Sequence, residues 1–92
     1  MEYEIHKELD VQIQKLSKKD KFLASILVHK INEIKDSEYV DHYKNLRFPL
    51  SKYKRVHITK QFVLLFYFDV ETNTILFRYF DHRDNIYNRK YD

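Results

Sequence analysis

Two stretches of this chain carry side chains whose types and spacing could do chemistry. In Tyr53-Lys-Arg-Val-His-Ile58, Arg55 and His57 alternate with apolar Val56 and Ile58. In Ile75-Leu-Phe-Arg-Tyr-Phe80, an apolar strand runs straight into Asp81-His82-Arg83-Asp84-Asn85-Ile86-Tyr87. A His-Arg pair is delivered at a strand end, and a tyrosine follows four residues after the arginine. Cations, an imidazole and aromatic rings are what a protein needs to hold RNA and strain its backbone.

Each residue also has a plainer reading. A lone histidine on a half-exposed strand ordinarily does no chemistry. His57 has company: Arg55 and Lys60 are near in sequence, and Arg83 and Tyr87 lie beyond a strand that can run close by. Cations nearby disfavour a second positive charge, and a neutral imidazole can accept a proton. Arg83, with Asp81 and Asp84 close, is either a salt-bridged turn residue or a planar partner for two phosphate oxygens. Tyr87 either packs back on the core or stacks on a base. Lys52 and Lys60, at strand and loop ends, are free to meet a polyanion. Lys54 points by alternation toward the helical side, and only a long stem could return its ammonium to the other face. Arg78 would be costly to bury unpaired, so it is expected beside His57 together with Phe80. His82 is a neighbour of the proposed set.

These residues need elements to position them. Tyr3 and Ile5 alternate with charged residues, as in a short strand. Leu9, Ile13 and Leu16 recur at helical spacing over about residues 7–16. A polar break follows, in which Ser17 or Asp20 can cap a second helix from Lys21 to Lys35. Phe22, Leu23, Ile26, Leu27, Ile31 and Ile34 give that helix one wide apolar stripe. A turn this short predicts an antiparallel helical hairpin. Residues 36–50 are polar, hold the only proline (Pro49), and allow a helical turn around Tyr39–Leu46. Tyr53–Ile58, the almost wholly apolar Gln61–Phe68, and Ile75–Phe80 then form an antiparallel meander. Residues 86–92 are open to a short strand, a short helix or fraying. The expected fold is α+β: an N-terminal strand and a helical hairpin packed on one face of a small, mainly antiparallel sheet. The other face is expected to be uncovered, aromatic and cationic.

Composition bounds the rest. The 92 residues make one domain, 1–92, with 43% apolar residues to fill a single core. There is no cysteine for a disulfide or thiolate metal site, and no glycine for a phosphate-cradling loop. None of the five histidines shares a metal-binding spacing; Asp81-His82 is at most half a site. No run approaches the ~18 apolar residues of a membrane span, and no signal-peptide core is present, so a cytoplasmic protein without a membrane partner is expected. The net charge of +3 is unevenly spread: −2 over residues 1–41 and +5 over 42–92. From His42 to Phe68 there are six Lys or Arg and no acid. Such clustering is either a solvated basic surface or the footprint of a polyanion site.

The order of strand, helical hairpin and meander resembles the RelE/ParE superfamily of toxins from toxin–antitoxin pairs. Tyr53–Tyr67 is similar to that family's two central strands, and its His-Ile turn most resembles the YafQ-type branch. The segment from His82 to Tyr87 is similar to a C-terminal H-R-x-x-x-Y signature of archaeal RelE-like toxins. The resemblance implies an endoribonuclease that cuts mRNA in the ribosomal A site and is silenced by a cognate antitoxin in a hetero-oligomer. It implies that His57 does acid–base work, that Arg83 contacts the scissile phosphate, and that Tyr87 is the terminal aromatic. Lys52, Lys54, Arg55, Lys60, Arg78 and His82 are the accompanying candidates for RNA contact. No metal or organic cofactor is expected. Two departures stand out: Val63 replaces a strand arginine of many RelE members, and Gln61 falls near a YafQ-type carboxylate. The other readings are a non-catalytic ParE-like toxin acting on a protein such as gyrase, and a plain RNA-binding module.

Overall fold

A computed structural model describes residues 2–47 and 50–88. The expectations for Pro49 and for the chain beyond Asn88 fall outside them. Strand β1 (Glu2–Ile5) leads into helices α1 (Lys7–Lys19) and α2 (Lys21–Lys35), a single 3-10 turn at Val40–His42, strands β2 (Lys54–His57), β3 (Phe62–Asp69) and β4 (Thr74–His82), and the short helix α3 (Arg83–Asn88). The sheet order is β1-β4-β3-β2, with β1 parallel to β4 and the other pairs antiparallel. The fold is the expected α+β arrangement.

One aspartate makes the helical hairpin. The backbone N–H of Asp20 closes α1 on the Leu16 carbonyl, and its carboxylate accepts from the Leu23 N–H at 3.1 Å to open α2. Ser17, the other capping candidate, instead donates to the Gln14 carbonyl inside α1. That helix therefore runs three residues past Leu16. At its other end the His6 imidazole caps α1, with Nδ1 accepting from the Glu8 N–H. Leu9 from α1 and Leu23, Leu27, Ile31 and Ile34 from α2 pack on Leu64, Phe66, Ile75 and Phe77 of the sheet. Phe22 departs from the expected stripe and is 75% exposed, on the outer side of the first turn of α2.

The second face of the sheet is not bare. Val63 and Leu65 of β3 project there and are fully buried beneath Ile86 of α3, with Leu46, Tyr53, Leu50 and Tyr79 around them. The cause lies in β3, which is apolar on both faces and must be covered on both. A β-bulge corrects a second expectation. Leu65 pairs with Tyr79 but Phe66 with Phe77, which leaves Arg78 as the extra residue. The alternation flips there, so Phe77 and Phe80 both face the helices, and Phe80 does not join His57.

Asp20→Ala removes an interaction on which both helices depend. It should cost about 1–2 kcal/mol, read as a lower urea midpoint with unchanged slope. A midpoint that does not move would contradict the shared-cap account.

Candidate functional site

Register fixes where the candidate side chains point. Arg55 lies opposite Leu65 and His57 opposite Val63, and directly opposed residues share a face. Arg55 and His57 therefore project from β2 on the side that carries α3. Both are exposed, and β2 is an outer strand of the sheet.

Helix α3 brings the remaining candidates to the same side. Arg83 and Tyr87 are four residues apart and hence one turn apart on one helical face. Ile86 is fully buried and anchors the helix on Val63 and Leu65. The Arg83 backbone N–H donates to the Gln61 carbonyl at 2.7 Å, so α3 starts beside the turn that follows His57. From there the helix returns along the sheet until Tyr87 meets Arg55, whose guanidinium donates to the phenol oxygen. Because that oxygen accepts from Arg55, the phenol's own proton is left to donate elsewhere.

Local bonds hold the start of α3. The Asp81 carboxylate accepts from the His82 N–H at 2.7 Å and from the Asn85 side chain at 3.1 Å. His82 Nδ1 accepts from the Asp84 N–H, and its ring stands edge-on to Phe62. His82 thus acts as a cap for the helix. Asp81 is engaged with Asn85, and among the described residues Asp84 approaches Arg83, at 4.0 Å between exposed groups. Such a contact is worth about 0–1 kcal/mol, so the guanidinium stays available to a ligand.

The cations divide by place. Lys60 is exposed in the turn between β2 and β3, at the His57 end. Lys52 is exposed before the other end of β2, with its ammonium 5.2 Å from the Tyr53 ring centre. Arg78 is turned to the β1 side, over the Tyr79 ring, 3.3 Å from His6 Nδ1 and 3.8 Å from Glu8. Lys54 points to the helical side as alternation requires and does not return. It is 6% exposed, and its Nζ donates to the carbonyls of Asp41 and Tyr43 and to Asn45 Oδ1 at 2.8 Å. Lys54 fastens residues 41–45 to β2.

Sequence reasoning missed a cleft beside Tyr87. Residues 44–47, Leu50, Arg55 and Tyr87 line a cleft of about 520 Å³. The signal was present, since Lys44 and Arg47 belong to the acid-free run, but a polar connecting segment gave no direction to their side chains. Among the described residues, no group of three or more His, Cys, Asp or Glu could hold a metal ion, and no helix is long and apolar enough to cross a membrane. Val63 has no exposure at all. At this position the chain supplies packing under α3.

Two relatives match over nearly the whole chain. A Methanocaldococcus jannaschii protein named "Putative toxin RelE4" is 49% identical over 89 residues, covering 97% of this chain and 93% of that protein. An uncharacterised protein of Methanosarcina mazei is 42% identical over 83 residues, covering 90% of this chain and 94% of its own. No family model and no solved structure matches. With this identity, over this length and on this fold, the chain belongs to the RelE-like toxins of the RelE/ParE superfamily.

Lys54→Met would leave three acceptors without their shared donor. It should cost about 2–3 kcal/mol by urea unfolding, whereas exposed Arg83→Ala should change stability by less than about 0.5 kcal/mol. Equal effects of the two would contradict the division between a structural lysine and a free arginine.

Proposed function

We propose that this chain is the toxin of a toxin–antitoxin pair and acts as an endoribonuclease on ribosome-bound mRNA. The observation that carries the reading is the shared face of Arg55, His57, Arg83 and Tyr87, closed at one end by the Arg55–Tyr87 hydrogen bond. Family membership supports the same reading.

The chemistry needs only side chains of this kind. His57 takes the proton from a ribose 2′-OH, and the 2′-oxygen attacks the adjacent phosphorus. Arg83, with Lys60 at the same end of the sheet, offsets charge building on the phosphoryl oxygens. The bond from phosphorus to the 5′-oxygen breaks, and that oxygen takes a proton from the Tyr87 phenol. The products are a 2′,3′-cyclic phosphate and a 5′-OH. Arg55 orients the phenol, and the exposed cations of this face hold the flanking phosphates. Lys54 is omitted from the contact surface because its ammonium is already occupied. A small acidic antitoxin is the expected partner, and inhibition of translation in the cytoplasm is the expected outcome.

Primer extension on ribosomes programmed with a defined mRNA tests the reading. The wild-type protein should cut within the A-site codon. His57→Ala should slow cutting by about 10²–10⁴-fold, and Arg83→Ala by about 10²–10³-fold. Cutting at an unchanged rate by both variants would remove these residues from the site.

A further inference from the structure

Strand β4 passes into α3 without a loop: the strand ends at His82 and the helix begins at Arg83. With no linker between them, the helix takes its direction from bonds across the junction. Asp81 makes two of these. Its Oδ1 accepts from the His82 N–H at 2.7 Å and, one helical turn on, from Asn85 Nδ2 at 3.1 Å. The clip spans residues 81–85, and Arg83 stands at its midpoint. Ile86 docks the helix as a body, but a six-residue helix held by one apolar anchor can still roll at its first turn.

Register places Asp81 in line with the proposed base. His57 lies opposite Val63, and Val63 opposite Asp81, so the three form one row across the sheet and share a face. Two strand spacings put the His57 and Asp81 backbones about 10 Å apart. The turn between β2 and β3 is tied as well. Thr59 Oγ1 accepts from the Gln61 and Phe62 N–H groups, and the Gln61 carbonyl accepts from the Arg83 N–H at 2.7 Å. These bonds run from the end of β2 to the backbone of Arg83, and Asp81 closes them from the β4 side. A carboxylate on this face repels the phosphates that Arg83 and Lys60 would attract. Its contribution is therefore not to binding.

We propose that Asp81 is a positioning residue: by holding the first turn of α3, it sets where the Arg83 guanidinium stands relative to His57. It works as a hydrogen-bond acceptor and not as a charge, because both donors are neutral N–H groups bound to one oxygen. The inference rests on the ribonuclease reading for its effect on rate; the hold on α3 stands apart from cutting.

Asp81→Ala, Asp81→Asn and Asn85→Ala test it, each measured for cutting on programmed ribosomes and for amide hydrogen exchange. Asp81→Ala removes the acceptor and should lower kcat about 10- to 100-fold, the scale of a misplaced group, without raising KM. Asp81→Asn keeps an acceptor oxygen and should return kcat to within about threefold of wild type. Asn85→Ala should also slow cutting, and the double variant with Asp81→Ala should be no slower than Asp81→Ala alone, because the two residues share one bond. The Arg83 amide should exchange about fivefold or more faster in Asp81→Ala and at the wild-type rate in Asp81→Asn, with the α2 amides unchanged in both. Cutting by Asp81→Ala at the wild-type rate would overturn the positioning role. So would Asp81→Asn as slow as Asp81→Ala with a protected Arg83 amide, since the carboxylate charge would then act in the chemistry itself. A wild-type protein that never cuts would overturn the ribonuclease reading, and exchange would still decide Asp81: an Arg83 amide unmoved by Asp81→Ala removes its hold on α3.

Discussion

The constraint on which the structure depends is that β3 must be covered on both faces. Val63, Leu64, Leu65 and Phe66 follow one another and all are fully buried. Leu64 and Phe66 require the helical hairpin; Val63 and Leu65 require something on the other side. Burying a side chain of this size is worth about 1.5–3 kcal/mol, so neither face can be left wet at small cost. The cover for the second face is Ile86, and Ile86 brings its neighbours with it. A six-residue helix has no stability of its own. It persists because it caps apolar surface, and that docking carries Arg83 and Tyr87 to the side where β2 displays Arg55 and His57. The candidate site is a by-product of solving a packing problem.

A similar economy governs the cationic segment. Six Lys or Arg without an acid between His42 and Phe68 would repel one another if all were aimed at one spot. The fold separates them. Lys54 is drawn inside and satisfied by carbonyls. Lys44, Arg47 and Arg55 surround the cleft, Lys60 stays at the His57 end, and Lys52 rests near the Tyr53 ring. One cation thus builds the wall that the others line. Arg78, outside that run, is likewise partnered at the β1 side by His6 and Glu8.

The elements were legible because their signals are local. Helical spacing gave α2 with both boundaries, and alternation gave the faces of β2, including the inward direction of Lys54. The errors came from features that alternation cannot carry. The bulge at Arg78 inserts one residue and reverses the phase, which moved Phe80 to the helical side. The second face was expected bare although the apolar run of β3 already required a cover; Ile86 supplies it from outside the sheet. The cleft wall depends on tertiary bonds from Lys54 and Tyr53 to a segment without periodicity, so no spacing could have revealed it. Phe22 matched a stripe by type, yet sits on its outer margin.

The ribonuclease proposed on this second face would cut RNA through the substrate's own 2′-oxygen. The most direct measurement is the chemistry of the cut ends. Ribosomal complexes treated with the protein would yield fragments for mass spectrometry. Attack by the 2′-oxygen leaves a 2′,3′-cyclic phosphate on the upstream fragment and a 5′-hydroxyl on the downstream one. A 3′-hydroxyl with a 5′-phosphate would contradict it, because that outcome requires water to attack in place of the ribose oxygen.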